Sequence, residues 1–332
     1  MSTSLVNEPP AGPPASPGPS GRTLIMVHGG GYKPDRDALE ALWREALAAG
    51  FDRDLTADGG RRLLDGTRLV LAYYGDLVNS VLARGGNVPD VALDLEDRRR
   101  DLRRLTELTS SKKFRRIHYE AVPGKSAVAE LVADVAAPVL NALRLTDPVL
   151  ARRLPALAAY LSRNAELRTA CEARVMEVLA PALERGDNVL LVSHAMGSVV
   201  SYDALWRLSH EPEHAASATR VRSWLTLGSP LASEYVKKRL RGSREPDARR
   251  HPDKVINWYN VAAEDDYHCH DKTVCNDFAA LLKHQRLSQI RDYRIYNLAI
   301  RYGRSNPHNA VGYLIHPRIT RLVADWLKDG PG

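Results

Sequence analysis

Residue 195 stands at the tip of a turn typical of an enzyme nucleophile, yet it carries only a methyl group. An apolar run over 188–192 leads into the turn 193–197 (Ser-His-Ala-Met-Gly), and a helix-like stretch follows over 198–205. A strand, a tight turn and a helix in this order form a nucleophile elbow, where a serine normally occupies the centre of G-x-S-x-G. A methyl group has no lone pair and no proton to transfer, so Ala195 can form no covalent intermediate. The segment predicts a nucleophile position without its nucleophile.

Three other segments carry residue types that would complete a site around this turn. An apolar strand over 23–27 ends in a His-Gly-Gly-Gly sequence, and glycines let the backbone approach a substrate closely. A strand-like run over 255–263 ends in an acidic turn, and a polar loop over 306–309 places a histidine ahead of a terminal helix. Together with the nucleophile position at 195, these segments supply an acid, a histidine base and backbone donors.

In this chain order, the four segments resemble the α/β-hydrolase superfamily, specifically its lipase- and esterase-like serine hydrolases. The resemblance covers roughly residues 22–76 and 187–330 and leaves the middle of the chain uncovered. It implies acyl transfer from a carboxylic ester to water, a reaction that needs no metal and no cofactor. The expected partner is therefore a small-molecule or lipid-like acyl substrate.

The resemblance also assigns a role to individual residues. Ala195 holds the nucleophile position, and His308 would take the proton of the missing serine as general base. The backbone N–H of Met196 and one from the glycine-rich loop, at Gly29 or Gly30, would form the oxyanion hole. The sequence therefore predicts two backbone donors beside residue 195.

The acid of the triad is expected at Asp266. In lipase-like hydrolases a Trp-x-Asn-Val pattern is followed, after four residues, by an Asp, and Trp258 and Asn260 match it here. The neighbouring Asp265 is the alternative acid. Asp271 is a more distant alternative because it looks like the start of a helix.

His308 is the preferred triad histidine because it lies in a polar loop between a strand-like run over 293–300 and the terminal helix. His316 precedes a proline and is expected at the entry of that helix. The remaining alternatives are His270 and His284.

Two explanations of the alanine stay open at this point. One is an engineered Ser-to-Ala substitution in a serine hydrolase, made to trap substrate or prevent turnover. The other is a natural pseudoenzyme that binds a ligand or partner in the hydrolase pocket without turnover. In both cases the chain as written is expected to be inactive as an esterase.

The expected fold is α/β, namely an α/β-hydrolase fold with a mostly parallel central sheet, flanking helices and a helical cap insertion. A tail over 1–21 is rich in proline, glycine and serine and is expected to be disordered. The core is expected over 22–76 and 166–332, and the cap or lid over 77–165. The alternative for the middle segment is that its helices simply flank the sheet.

The composition is that of an ordinary soluble globular protein, with 44% hydrophobic and 26% charged residues in 332. The sequence has no apolar stretch long enough for a transmembrane segment and no signal core at its start, so a cytoplasmic protein is expected. Three cysteines fit a reducing compartment. Cys269 and Cys275 with His268 and His270 do not follow a standard zinc spacing, so no metal site is expected.

The formal net charge of +7 reflects basic clusters over 98–104, 112–116 and 237–250. Acidic residues are interleaved through the first cluster, and no nucleic-acid-binding motif occurs in the sequence. The clusters are therefore interpreted as solvated faces, and nucleic-acid binding is not expected.

Overall fold

The computed structural model describes residues 21–86, 88–124, 154–162, 165–213, 218–266 and 273–329. Residues 1–20 of the predicted tail, residues 87, 125–153 and 163–164 of the predicted cap, and the candidates His268, Cys269, His270 and Asp271 lie outside these residues. The sequence-based domain boundaries therefore stay predictions.

A sheet of six parallel strands forms the centre of the protein. The strands are β1 (Arg22–Val27), β2 (Thr67–Ala72), β3 (Asn188–His194), β4 (Val221–Leu227), β5 (Val255–Ala263) and β6 (Gln289–Ile295). Their order across the sheet is β2-β1-β3-β4-β5-β6. A short antiparallel hairpin follows, with β7 (Ile300–Arg301) and β8 (Arg304–Ser305). The predicted α/β class with a parallel sheet is confirmed.

Helices cover both faces of the sheet. Those in the described residues are α1 (Arg36–Asp54), α2 (Gly75–Arg84), α3 (Val91–Thr106), α4 (Arg116–Glu120), α5 (Pro155–Tyr160), α6 (Ala165–Glu184), α7 (Met196–His210), α8 (Glu234–Lys237), α9 (Asp247–Arg250), α10 (Ala279–Lys283), α11 (Ala310–Leu314) and α12 (Pro317–Lys328).

The strands are apolar along their length because both faces of the sheet are buried. In β1, Ile25 and Val27 face a core layer that includes α2, α5, α6 and α7, whereas Leu24 and Met26 face a layer that includes α1, α3, α11 and α12. Side chains alternate between the faces of a strand, so one strand supplies both layers. Within the predicted cap range, α2 and α5 thus lie on one face of the sheet and α3 on the other.

The side on which the chain adds its next strand changes at β1. The chain runs from β1 to β2 on one side and later returns to β3 on the other side of β1. In open parallel sheets, ligands bind outside the carboxyl ends of the strands at such a switch point. Val27 pairs with Ser193 in the register of β1 and β3, so the loops that follow both strands begin side by side.

Candidate active site

Residue 195 has a backbone conformation that residues other than glycine rarely adopt. Ala195 has φ 53° and ψ −125°, and it lies between the end of β3 and the start of α7. Positive φ in a residue with a Cβ costs about 1–3 kcal/mol and is typical of functional turns. The strand, turn and helix expected from the sequence are thus present, and the strained position is the one where the elbow pattern has its nucleophile.

Close packing beneath the turn explains the glycine two residues later. A Cβ added to Gly197 would lie 2.5 Å from the carbonyl oxygen of His28 and 2.7 Å from that of Val27. A Cβ on Gly29 would lie 2.9 Å from the Cβ of Ala195. The turn and the glycine-rich loop after β1 therefore approach each other at distances that only glycine allows.

The backbone around Ala195 offers donors for an anion. Met196 is the first residue of α7, and the side chain of the preceding Ala195 provides no cap for this helix. Uncapped N–H groups at a helix start favour negative charge. Gly30 and Met196 line the same cavity as Ala195. The three residues predicted for the oxyanion hole thus lie around residue 195, and their role as donors stays a prediction.

Buried polar side chains hold the glycine-rich loop after β1 in place. The N–H of Tyr74 donates to Nε2 of His28 at 3.0 Å, so Nδ1 of His28 carries the proton and donates to the carbonyl oxygen of Gly29 at 2.9 Å. Nζ of Lys33 donates to the carbonyl oxygen of Gly31 at 2.6 Å. Burial, followed by the nearby charge of Arg98, lowers the pKa of Lys33 to about 7. These contacts set the orientation of the loop that faces Ala195.

His308 and Asp266 are in direct contact. Nδ1 of His308 lies 2.8 Å from Oδ2 and 2.9 Å from Oδ1 of Asp266. Asp266 follows β5 and is buried, and its Oδ2 also accepts a hydrogen bond from the hydroxyl of Tyr313 at 2.8 Å. The carboxylate holds Nδ1 as the protonated nitrogen, which leaves Nε2 as the nitrogen suited to act as a base.

The alternative acid points elsewhere. Oδ2 of Asp265 accepts a hydrogen bond from the hydroxyl of Tyr119 at 2.6 Å, on the side of α4. Asp266 instead meets His308, and a Cβ on Gly228 would lie only 2.7 Å from Oδ2 of Asp266. Gly228 has φ 55°, so this position needs glycine for its backbone as well as for space.

The alternatives His316 and His284 lie away from this cavity. Nδ1 of His316 accepts from the N–H of Arg318 at 3.0 Å and caps α12, as its position before Pro317 predicted. Burial, with Arg53 nearby, lowers the pKa of His316 to about 3. His284 directly follows α10. Neither residue lines the cavity that Ala195 and His308 share.

A cavity of about 440 Å³ connects these residues. Ala195, His308 and Asn306 are among the residues that line it. The remaining wall is mostly apolar and consists of Gly30, Gly31, Tyr32, Leu82, Leu154, Pro155, Ala156, Leu157, Met196, Gly228 and Pro230. The residues from 82 and 154–157 belong to the range predicted as a cap, so that range contributes to the cavity wall.

Sequence reasoning missed several residues that support this site. Tyr313 bonds Asp266, Asn297 bonds the carbonyl groups on either side of His308, and His194 bonds the carbonyl oxygen of His308 itself. A buried tyrosine or asparagine has no local sequence signal for such a contact. His194 is the exception, because its position next to the turn tip already marks it.

The first basic cluster differs in part from the solvated face expected for it. Arg98 bonds Asp94 at 2.6 Å with only 16% of its side chain exposed, and Arg104 bonds Asp101 at 2.9 Å. Both carboxylates are buried, so these arginines turn inward and neutralise them. Arg99, Arg100 and Arg103 are exposed, as expected.

Among the described residues, no group of three His, Cys, Asp or Glu side chains could hold a metal ion. No helix in the same part of the chain combines the length and apolar character needed to cross a membrane. Cys171 and Cys275 are free thiols. No protein-family model, curated protein or solved structure matches the chain.

Proposed function

We propose that this chain carries the site of a serine hydrolase for carboxylic esters, in a form that lacks its nucleophile. The observation that supports this most is the relation of two positions. Ala195 occupies a strained turn between a strand and a helix, and it shares a cavity with a histidine whose Nδ1 is held by a buried carboxylate. That arrangement is the one an activated serine needs, with a methyl group in place of the hydroxymethyl group.

With a serine at position 195, the reaction would follow acyl-transfer chemistry. The serine Oγ would attack the ester carbonyl carbon while Nε2 of His308 takes its proton. The backbone donors at Met196 and Gly30 would stabilise the oxyanion, a contribution of about 2.7–4 kcal/mol for each donor. His308 would then protonate the departing alcohol, and water would release the acid by the same steps. Asp266 would stabilise the imidazolium throughout.

The cavity favours an uncharged substrate. Apart from His308, no described side chain that lines it is ionisable at neutral pH, and most of its wall is aliphatic. Burying an unpaired charge against such a wall is costly, whereas each buried CH₂ group contributes about 0.8 kcal/mol. We therefore expect neutral esters of apolar acids to bind better than esters whose acyl chain ends in a carboxylate.

Ligand binding without turnover is the second candidate function, and Ala195 itself favours it. The turn, the histidine, the acid and the cavity are all present around a residue that cannot react. A protein that captures an ester or a similar molecule would need the cavity and not the nucleophile. In that case the binding affinity of the chain for neutral esters is its functional property.

The test is the Ala195→Ser variant, assayed with a fluorophosphonate probe and with p-nitrophenyl esters of increasing acyl length. We expect probe labelling and ester turnover in the variant and neither in the unaltered chain. Loss of a triad nucleophile reduces kcat by about 10⁶-fold, so the contrast should be large. Ala195→Ser combined with His308→Ala is the matched control, since it keeps the hydroxyl and removes the base.

If the Ala195→Ser variant is folded, yet shows neither labelling nor turnover on any of these esters, the hydrolase proposal fails. Calorimetry of ester binding to the unaltered chain then tests the second candidate function, ligand binding without turnover. Labelling that persists in the double variant would also count against the proposal, because it would come from another residue such as Ser193, Ser198 or Ser229.

A further inference from the structure

His194 directly connects the turn at residue 195 to the loop that carries His308. It is the last residue of β3 and the covalent neighbour of Ala195, and only 6% of its surface is exposed. Its Nε2 lies 2.8 Å from the backbone carbonyl oxygen of His308. A carbonyl oxygen only accepts hydrogen bonds, so Nε2 of His194 carries the proton and donates.

The surroundings of His194 keep its ring in this state. The ring packs against the edge of Trp43, with centroids 6.3 Å apart, and against Tyr313 at 5.9 Å. Burial, and then the nearby His308 and Lys33, lower the pKa of His194 well below its usual value of 6.5. The imidazole is therefore neutral at neutral pH, and the carbonyl of His308 selects one tautomer.

Asn297 also anchors the histidine loop on both sides of His308. Nδ2 of the fully buried Asn297 donates to the carbonyl oxygens of Pro307 at 2.8 Å and Asn309 at 3.0 Å. These bonds hold the shape of the loop but do not connect it to the turn at residue 195. The bond from His194 does, because its donor belongs to the residue adjacent to the turn tip.

We infer that His194 is a positioning residue that sets the separation between position 195 and the imidazole of His308. Asp266 fixes the far side of the His308 ring, and His194 fixes its backbone, so the two contacts together define where Nε2 of His308 lies. A base displaced by about 1 Å from its nucleophile can cost about 10²-fold in rate. The catalytic part of this inference rests on the proposed function, whereas the structural part does not.

Two variants of similar shape separate the hydrogen bond from packing. His194→Gln keeps an N–H donor near the position of Nε2, and His194→Met has a similar length and volume without a donor. In the Ala195→Ser background we expect His194→Met to lower kcat by about 10²-fold with little change in KM. We expect His194→Gln to restore kcat to within about tenfold of the parent, since its amide can donate to the same carbonyl.

A second measurement uses the unaltered chain and needs no activity. Nitrogen-15 NMR of the histidine rings should show His194 as the neutral Nε2–H tautomer and His28, whose Nε2 accepts from Tyr74, as the Nδ1–H tautomer. The rings of His194 and His308 lie 4.8 Å apart between centroids, so both substitutions change the surroundings of the His308 ring. The ring resonances of His308 should therefore shift in both variants, and further from those of the parent in His194→Met than in His194→Gln.

These readouts distinguish failure of the inference from failure of the proposed function. An Ala195→Ser variant that is inert refutes only the hydrolase proposal, because the NMR comparison still applies. The inference is overturned if His194 carries its proton on Nδ1, if the His308 resonances are the same in the Met and Gln variants, or if both variants have the same kcat. If His194→Met does not fold, the tautomer of His194 in the unaltered chain still tests the inference.

Discussion

The two walls of the cavity are held in different ways. The strand-end wall (Gly30, Ala195, Met196, Gly228 and His308) lies where β1, β3 and β4 end, and His308 joins it from the loop between β8 and α11. The helix wall (154–157) is formed by Leu154 and the first three residues of α5. The first wall contains the cavity residues to which the proposed reaction assigns a role, and the second contributes only apolar surface.

A buried ionic network anchors the helix wall to the core. The hydroxyl of Tyr160, at the end of α5, donates to Oδ2 of Asp203 at 2.8 Å. Arg168 bonds the same oxygen at 2.6 Å, and Arg241 bonds Glu172 through two nitrogens at 2.7 and 2.8 Å. Both carboxylates are fully buried, and such groups require partners of this kind.

The two walls of the cavity are therefore held in place by separate sets of contacts. The strand-end wall is fixed by the sheet itself and by short polar contacts at the strand ends. The helix wall depends on side chains that join α5, α6 and α7 on one face. Substitutions in the first region should therefore change the rate of an ester reaction, and substitutions in the second should change affinity.

The largest expected effect tests Asp266, the acid that holds His308 of the strand-end wall. In the Ala195→Ser background, Asp266→Asn should lower kcat by about 10⁴-fold, because an amide favours the wrong tautomer of the histidine. Asp265→Asn is the matched control, since Asp265 bonds Tyr119 and not His308. We expect kcat to stay within about tenfold of the parent in that control. A greater loss in Asp265→Asn than in Asp266→Asn would show that the acid is assigned to the wrong residue.

A second prediction concerns Gly228, which borders the acid. Gly228→Ala places a Cβ 2.7 Å from Oδ2 of Asp266 and 3.2 Å from Nδ1 of His308, in addition to backbone strain at φ 55°. Gly303→Ala has similar strain at φ 74° with no heavy atom within 4 Å, so it measures the strain alone. Both should lose about 1–2 kcal/mol of unfolding free energy from the backbone.

Only Gly228→Ala should also lower kcat in the Ala195→Ser background, by about 10²-fold, because it displaces the carboxylate from the histidine. Steady-state kinetics and urea unfolding on both variants test this. Equal kcat values for the two variants would mean that the acid tolerates displacement.

The strand ends could be predicted from the sequence, and the contacts that support them could not. Buried parallel strands are nearly continuous apolar runs, so β1, β3 and β5 were recognisable, and their carboxyl ends meet at one edge. The hydrogen bonds from Tyr313 to Asp266, His194 to His308 and Tyr160 to Asp203 join residues 47, 114 and 43 positions apart. Such contacts depend on how helices and loops pack, which no local pattern encodes.

The third prediction tests the helix wall at its anchor. Tyr160→Phe removes the hydrogen bond to Asp203 and should lower the unfolding free energy by about 1.5–3 kcal/mol, as for other bonds to charged groups. The Kd of the Ala195 chain for a neutral ester should rise several-fold, because 154–157 lose their fixed position. Tyr119→Phe is the control, since it removes a similar bond to Asp265 away from the cavity. A Kd that rises equally in both variants would contradict a separate role for the helix wall.

The last prediction concerns the dependence of stability on pH through Asp203. Burial raises the pKa of this carboxyl from 3.8 to about 6, and Glu172 adds to the rise while Arg168, the N–H of Arg241 and the hydroxyl of Tyr160 oppose it. Between these two values the folded state binds the proton more than the unfolded state does. The contribution of Asp203 to the unfolding free energy should therefore fall as the pH rises through this window, and level off above it.

Urea unfolding of the unaltered chain and of Asp203→Asn, at several values between about pH 4 and pH 7, measures this contribution as the difference between the two. Asp247→Asn on α9, at an exposed position, is the control for the loss of one carboxylate as such. A difference that grows with pH would mean that Asp203 is stabilised as the anion by its arginines. The anchor of the helix wall would then strengthen with pH, whereas we expect it to be most stable with Asp203 protonated.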